Sequence, residues 1–360
     1  MNRKTSLEKL VFWFLIFLLP SQLAYHFWPD YSFIFGIRID YLAPSIYLTD
    51  LLVLFLVVVS RTKVKVSYLL AIGLFACLNV YFSVSPSVSF WKWIKVYELI
   101  FFAKYISDNK HFLRIKTFVR IFCLSLIIIS VIGIIQFLVG GTIGGVFWLM
   151  GERSFGIFTP GIALQEIQGR EFLRAYSVFS HPNSLAGYLG VSVLLLSVNT
   201  GFKKSRLFPV TILISLVAFV LTFSTSAFLA AGAVGLIALS FRMKNFLYLT
   251  LPVTERLELI RTSKELILKN FFTGTGLNTF VYSTRLMQPV HNIFLLTLTE
   301  AGVAAFLIVV FLFYRIFKHF PLIAIFVLAT GMLDHYWFTL QQNMLLFSLV
   351  AGLSFEGKKS

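Results

Sequence analysis

Charged residues are scarce in this chain of 360 residues: 13% of them are charged, whereas soluble domains carry about 25%. Acidic residues are especially few, since 15 Asp and Glu stand against 31 Lys and Arg, and the formal net charge is +16. Apolar residues make up 58% of the chain. This composition excludes an ordinary soluble domain and predicts an integral membrane protein.

Cysteine is nearly absent as well. The two cysteines, Cys77 and Cys123, lie in separate apolar runs, so they indicate neither a disulfide framework nor a metal-binding spacing. The chain also contains no Asp-x-Asp motif of the type that holds a nucleotide through a metal ion. We therefore expect neither a metal nor a cofactor.

The basic residues lie in short clusters between apolar runs, such as those at 61–65, 203–206 and 315–318. Clusters of this kind are typical of the cytoplasmic loops of membrane proteins, which carry an excess of Lys and Arg. A nucleic-acid-binding domain would instead gather its basic residues on one face. The placement of charge therefore favours contact with membrane lipids and argues against a nucleic-acid partner.

The apolar runs are about 15–22 residues long, near the ~20 residues that a helix needs to cross a bilayer. They predict an all-α, polytopic fold with about twelve membrane crossings and both termini on the cytoplasmic side. One crossing is irregular, because the chain must recross within 246–253, which is too short for a full helical span. We expect residues 1–360 to form a single integral membrane domain.

Two long loops are expected on the extracytoplasmic side, at 140–182 and 254–290, the second with an amphipathic helix. Both loops are basic, which the rule for cytoplasmic loops does not explain. The first contains Arg174, and the second contains Arg256 and Arg285. A planar guanidinium binds phosphate oxygens in a bidentate manner, so these arginines are candidates for binding a diphosphate. Contact with lipid headgroups, or pairing with nearby glutamates, is the alternative.

The segment His291-Asn292 stands at the start of a long apolar run. Imidazole is the side chain best suited to move protons near neutral pH, which makes His291 a candidate catalytic base. The alternative is that both residues only cap the helix and anchor it at the interface. Asp334-His335 and the pair His181 and Asn183 are secondary candidates, with helix capping the simpler interpretation for His181.

Four segments together resemble the superfamily of O-antigen ligases and O-antigen polymerases. One is His291-Asn292 followed after nine residues by Gly302, and another is Arg256 followed after 18 residues by Gly274-Thr275-Gly276. The third is the segment beginning RAYSVFSHPNSLAGYL at Arg174, and the fourth is Asp334-His335 before a short last helix. The resemblance extends from Arg174 to Gly352 and, more loosely, over the whole pattern of apolar runs.

The chain departs from the family pattern at three positions. Ser177 stands where the family usually has glycine, and Ala305 stands where the family usually has Gly, Thr or Tyr. The family also has a Ser-Arg pair at the start of its eighth helix, whereas this chain has Thr225-Ser226-Ala227. If that arginine binds the lipid diphosphate, then Arg174 or Arg153 must take its place, or activity is lost.

The resemblance implies a glycosyl transfer on the outer face of a bacterial cytoplasmic (inner) membrane. The donor would be a glycan on undecaprenyl diphosphate, and the acceptor would be a hydroxyl on a glycan, a lipid-linked core or a protein. His291 would be the base, while Arg256 and a second arginine would stabilise the leaving diphosphate. The alternatives are a polysaccharide polymerase of the same superfamily, or a membrane transporter or scaffold without catalytic activity.

Overall fold

The computed structural model of the protein describes residues 3–114, 116–198, 206–238, 253–284 and 286–355. Helices dominate these residues, so the prediction of a mainly helical protein is confirmed. The α-helices are α1 Arg3–Leu18, α2 Leu48–Ser60, α3 Val66–Tyr81, α4 Pro86–Asp108, α5 Lys116–Val139, α6 Pro182–Val198, α7 Leu207–Leu221, α8 Thr225–Ala238, α9 Val253–Lys269, α10 Phe280–Thr284, α11 Ile293–His319, α12 Pro321–Gly331, α13 Tyr336–Thr339 and α14 Gln341–Ser354.

The strands are short and form two-stranded antiparallel pairs in the connections between helices. Strand β1 (Ala24–His26) pairs with β4 (Ser45–Tyr47), and the hairpin of β2 (Phe33–Ile34) and β3 (Ile37–Arg38) lies between them in sequence. In the loop at 140–182, β5 (Leu164–Ile167) pairs with β6 (Arg170–Leu173). These hairpins order the long loops without forming a separate layer.

Two of the described helices, α5 and α11, are long and apolar enough to cross a bilayer. Six further apolar stretches, of 10–17 residues each, lie in α2, α3, α6, α7, α8 and α12. The prediction of about twelve crossings is therefore still a prediction. Its irregular crossing at 246–253 and the basic residues at 203–205 lie outside the described residues, apart from residue 253 at the start of α9.

Helix α11 is broken at Gly302, where the backbone has φ 71° and ψ −173°. In an unbroken helix the N–H of residue 303 would donate to the carbonyl of residue 299, and that of 304 to the carbonyl of 300. Here the Val303 N–H donates to the Phe271 carbonyl at 2.9 Å. The break therefore leaves helical carbonyls that need other donors, since buried backbone groups are rarely left unpaired.

The segment Gly274-Thr275-Gly276 supplies those donors. The Thr275 N–H donates to the Thr299 carbonyl at 2.8 Å, and the Gly276 N–H donates to the Glu300 carbonyl at 2.9 Å. Both glycines have positive φ, and a Cβ on Gly274 would overlap the Glu300 carbonyl. Glycine is needed here because the loop backbone must lie directly against the backbone of the broken helix.

Two polar side chains add further hydrogen bonds where the segment Gly274-Thr275-Gly276 meets the break in α11. Asn79 of α3 is fully buried, donates to the Thr273 and Glu300 carbonyls at 2.6 and 2.9 Å, and accepts from the Trp93 indole at 2.8 Å. The buried Glu300 carboxyl accepts from the Tyr41 hydroxyl at 2.6 Å and from the backbone N–H of Asn278 at 2.9 Å. Helices α3, α4 and α11 are thus joined to two loops through one polar network.

The loop at 140–182 is held by a second buried polar network. The side chain of Gln136, in α5, donates to the Glu152 carboxylate at 2.7 Å and accepts from the Ser177 N–H at 2.6 Å. The Glu152 carboxylate also accepts from the N–H groups of Ile143 and Gly144 at 2.8 and 2.7 Å. Ser177 has φ 55°, a conformation that glycine adopts at lower cost.

The glycine at the α11 break leads to a stability prediction. We expect Gly302→Ala to destabilise the fold by about 2–6 kcal/mol, because a Cβ adds left-handed strain and overlaps the Phe272 carbonyl. Thermal unfolding of the detergent-solubilised protein measures this. The control is Gly232→Ala in α8, where a Cβ meets nothing within 4 Å. An unfolding temperature of Gly302→Ala equal to that of the control would contradict this account of the break.

Candidate functional site

Chain segments that lie far apart in sequence meet at one end of the helical bundle. They are the start of α6, the turn between α7 and α8, the start of α9, the start of α11 and the connection between α12 and α13. Hydrogen bonds and ring contacts join them through residues that the sequence singles out: Arg174, His181, Asn183, Arg256, His291, Asn292, Asp334 and His335. We call this group the polar cluster.

The start of α11 is positioned by a cap and by close packing. The Asn292 side chain accepts from the N–H groups of Phe294 and Leu295 at 2.9 and 3.0 Å, and it donates to the Met332 carbonyl at 3.2 Å. A Cβ on Gly331 would lie 2.6 Å from Ile293 Cδ1, so α11 and α12 approach closely there. Asn292 is therefore an N-cap, and its cap holds His291 beside the end of α12.

Asp334 is the buried acid of the polar cluster. Its carboxylate accepts from the Asn183 amide at 2.9 Å and from the His335 N–H at 2.8 Å. Burial alone would raise the pKa of this carboxyl, but interactions with the histidines and the Asn183 hydrogen bond outweigh it, and the pKa is lowered. Asp334 is therefore an anion at neutral pH.

His335 has a defined tautomer. The Thr339 hydroxyl donates to the His335 carbonyl at 3.1 Å, so its oxygen is left to accept from Nδ1 of the His335 ring at 2.9 Å. The ring proton is therefore on Nδ1, and Nε2 carries the lone pair. Desolvation lowers the pKa of His335 to about 4, although the charge of Asp334 opposes this shift. The imidazole is neutral at pH 7.

Arg174 is fixed by two hydrogen bonds. Its Nε donates to the Thr222 carbonyl at 2.6 Å, at the turn between α7 and α8, and its Nη2 donates to Oδ1 of Asn183 at 2.8 Å. Burial lowers the pKa of the guanidinium from its ordinary value, but arginine stays charged at pH 7. Asn183 therefore stands between a cation and the Asp334 anion, and its amide is oriented by both.

Arg256 and His181 lie at the edge of the polar cluster. Arg256, in the first turns of α9, donates from Nη1 to the Leu333 carbonyl at 3.2 Å. The Nδ1 atom of His181 accepts from the Asn183 N–H at 3.1 Å, which is the capping role that the simpler interpretation gave it. His181 is exposed to solvent.

Other predicted residues lie elsewhere. Arg285 is outside the described residues. Arg153 lies 3.5 Å from the Asp40 carboxylate, with both side chains about half exposed. Of Arg153 and Arg174, Arg174 is the one that contacts the turn before α8, through the Thr222 carbonyl.

Thr222 and Thr339 were not identified from the sequence. Each orients a charged or titratable side chain of the polar cluster, Thr222 through its carbonyl and Thr339 through its hydroxyl. Threonine is too common in apolar helices to mark such a role, and a backbone carbonyl has no sequence signature. The spacing of four positions from His335 to Thr339, about one helical turn, is the sequence feature that places these two side chains together.

The polar cluster combines two kinds of chemical group. Arg174 and Arg256 offer N–H donors and positive charge, while His291, Asp334 and His335 offer basic nitrogen and oxygen atoms. The rings of His291 and His335 are 5.1 Å apart, centroid to centroid. A site of this composition can bind an anionic group and accept a proton from a neighbouring hydroxyl.

The chain matches no model of a known protein family, and no curated protein is significantly similar to it in sequence. The function is therefore argued from the polar cluster itself.

The lowered pKa of His335 predicts a pH dependence of stability. Between pH 4 and 6.5 the unfolded chain binds a proton at His335 that the folded protein does not bind, so stability falls as the pH falls through this interval. We expect the unfolding temperature to drop from pH 7 to pH 5 in the wild-type protein, and to drop less in His335→Gln. His319→Gln, an exposed site, is the control. An unchanged pH profile in His335→Gln would contradict this assignment.

Proposed function

We propose that the protein is a glycosyltransferase of the O-antigen ligase type. It moves a glycan from an undecaprenyl-diphosphate donor to an acceptor hydroxyl on the outer face of a bacterial cytoplasmic membrane. The observation that carries the proposal is the meeting of Arg174, Asn183, His291 and Asp334, which come from three distant segments, in one polar cluster. Each was a candidate for this chemistry before its position in space was known.

Arg174 and Arg256 would bind the donor diphosphate. The Arg174 guanidinium is held at the turn before α8 by the Thr222 carbonyl, close to the position at which the family carries its arginine. Its two hydrogen bonds use two of the five N–H donors of a guanidinium. The remaining donors suit phosphate oxygens, and a fixed cation stabilises the charge that develops on the leaving diphosphate.

His291 would act as the general base. The acceptor oxygen attacks the anomeric carbon, the bond from that carbon to the diphosphate oxygen breaks, and the hydroxyl proton passes to the imidazole. The bonding electrons leave with the diphosphate. The Asp334 anion, which lies beside His291, stabilises the imidazolium that forms. Because a diphosphate is a good leaving group, the site needs no strong general acid.

Ligase and polymerase differ only in the acceptor, and we favour the ligase because the chain contains a single His-Asn motif with the family spacing. The topology belongs to the same proposal: a multi-pass protein with both termini in the cytoplasm and the polar cluster on the extracytoplasmic side. The expected partners are the lipid-linked donor, a glycan or lipid-linked acceptor, and membrane lipids.

A carrier without catalytic activity is the second candidate, and one observation favours it. Lys95, buried between helices, pairs with the Asp50 carboxylate and lies 3.7 Å from the Glu98 carboxylate. Gln341 donates to Asp50 at 2.6 Å. Buried ionisable groups in a membrane often mark a substrate or ion pathway. Here they are largely paired with one another, which also suits a structural role.

The proposal predicts the effects of two substitutions on transfer. The assay uses liposomes with a lipid-diphosphate glycan donor. We expect His291→Ala to lower the transfer rate by about 10²–10⁴-fold and to retain donor binding, because a general base assists the removal of the acceptor proton and does not bind the donor. We expect Arg174→Lys to weaken donor binding, since a lysine lacks the planar fork. Full transfer activity in His291→Ala would refute the mechanism, and glycan translocation without any transfer would favour the carrier.

Asn183 gives an independent prediction. In Asn183→Asp the new carboxylate would pair with Arg174 and repel Asp334, so Arg174 would be drawn from the diphosphate. We expect donor binding to weaken at least tenfold and to recover in part at lower pH. Asn109→Asp is the matched control, because the Asn109 amide bonds only locally, to the Tyr105 carbonyl at 3.0 Å. Equal donor binding in both variants would exclude a positioning role for Asn183.

A further inference from the structure

Three side chains of the polar cluster are arranged as metal ligands. His291, Asp334 and His335 each offer one ligand atom, and these atoms all lie within 4.8 Å of one another. They are the most compact group of His, Cys, Asp and Glu found among the described residues. The sequence did not indicate it, since His291 is 43 residues before Asp334 and the two form no recognised metal-binding spacing.

His335 and Asp334 have outer partners of the kind that orient metal ligands. His335 directs Nδ1 to the Thr339 hydroxyl, so its Nε2 is unprotonated and available to a cation. Asp334 accepts from the Asn183 amide at 2.9 Å, which fixes the direction of its carboxylate. Such outer hydrogen bonds orient the ligands, and losing one typically weakens metal binding by 10–100-fold.

We propose that His291, Asp334 and His335 form a binding site for a transition-metal dication such as Zn²⁺, and that occupancy of this site inhibits transfer. The proposed inhibition rests on the proposed function. A cation bound to His291 would occupy the nitrogen lone pair with which His291 would remove the proton of the acceptor hydroxyl. Metal binding itself does not depend on that function.

The donor set selects the type of cation. Two imidazoles and one carboxylate suit Zn²⁺, Fe²⁺ or Co²⁺, whereas Mg²⁺ and Ca²⁺ prefer oxygen ligands alone. Zinc bound to nitrogen or oxygen at about 2.1 Å would bring tetrahedral ligand atoms to about 3.4 Å from one another. The three side chains therefore close inward by up to about an ångström, which rotation of the imidazole rings permits.

The nearby arginines limit the affinity. Arg256 is hydrogen-bonded to the Leu333 carbonyl beside Asp334, and Arg174 reaches the same carboxylate through Asn183. Their positive charges oppose a bound dication. We therefore expect reversible occupancy that follows the free Zn²⁺ concentration, which is the behaviour of a regulatory site and not of a permanent structural one.

The test is Zn²⁺ binding to the purified full-length protein, measured by competition with a chromogenic chelator in the absence of donor. We expect one equivalent bound to the wild type, binding at least tenfold weaker in Asp334→Asn and His335→Ala, and binding 10–100-fold weaker in Thr339→Val. His319→Ala, at the exposed end of α11, is the control. Equal affinity in all variants would overturn the proposed site.

A measurement on the wild type alone avoids the risk that a variant does not fold. Zn²⁺ should protect His291 and His335, but not His319, from acylation by diethyl pyrocarbonate, as read by peptide mass spectrometry. Equal modification of the three histidines with and without Zn²⁺ would refute the site.

The inhibitory role is tested separately in the transfer assay. We expect Zn²⁺ to lower transfer and a chelator to restore it. Faster transfer with Zn²⁺ would overturn inhibition while leaving the binding site intact. If the protein transfers no glycan under any condition, the proposed function and the inhibition fail together, whereas the binding and protection results still decide the site.

Discussion

The structure depends on the hydrogen bonds that other segments make to the backbone carbonyls at the break in α11. The break at Gly302 leaves buried helical carbonyls without their usual donors, which is tolerated only when other protein groups donate to them. The segment Gly274-Thr275-Gly276 and Asn79 do this. Because the break is anchored, the short helical piece at 293–301 has a fixed direction, and its capped start presents His291 to the end of α12.

Charge separation is the second constraint. An arginine and an aspartate that were free to meet would form an ion pair, and neither would then be available to a substrate. Asn183 accepts from Arg174 and donates to Asp334, so it holds the two charges apart while stabilising both. Both an anion-binding side and a basic side can then exist within one small site, which a diphosphate leaving group and an acceptor hydroxyl require.

Several motif residues turn out to have structural roles. The N–H groups of Thr275 and Gly276 donate to carbonyls of the broken helix α11, and Asn292 caps the start of that helix. Ser177 has a left-handed conformation, where glycine is the easier residue. Asn292 and His181 both form the hydrogen bonds that capping requires. Spacing along the chain identifies positions under constraint, but it does not tell whether the constraint comes from chemistry or from packing.

The sequence by itself determined the helical class, the candidate residues and the amphipathic character of α9, because these follow from composition, periodicity and local motifs. The tertiary structure alone decided that Arg174, Asn183 and Asp334 form one hydrogen-bonded series, that Arg174 reaches the turn before α8, and that Thr339 sets the tautomer of His335. These facts depend on contacts between residues up to 151 positions apart along the chain. No local pattern encodes such contacts, because they arise only when the helices pack.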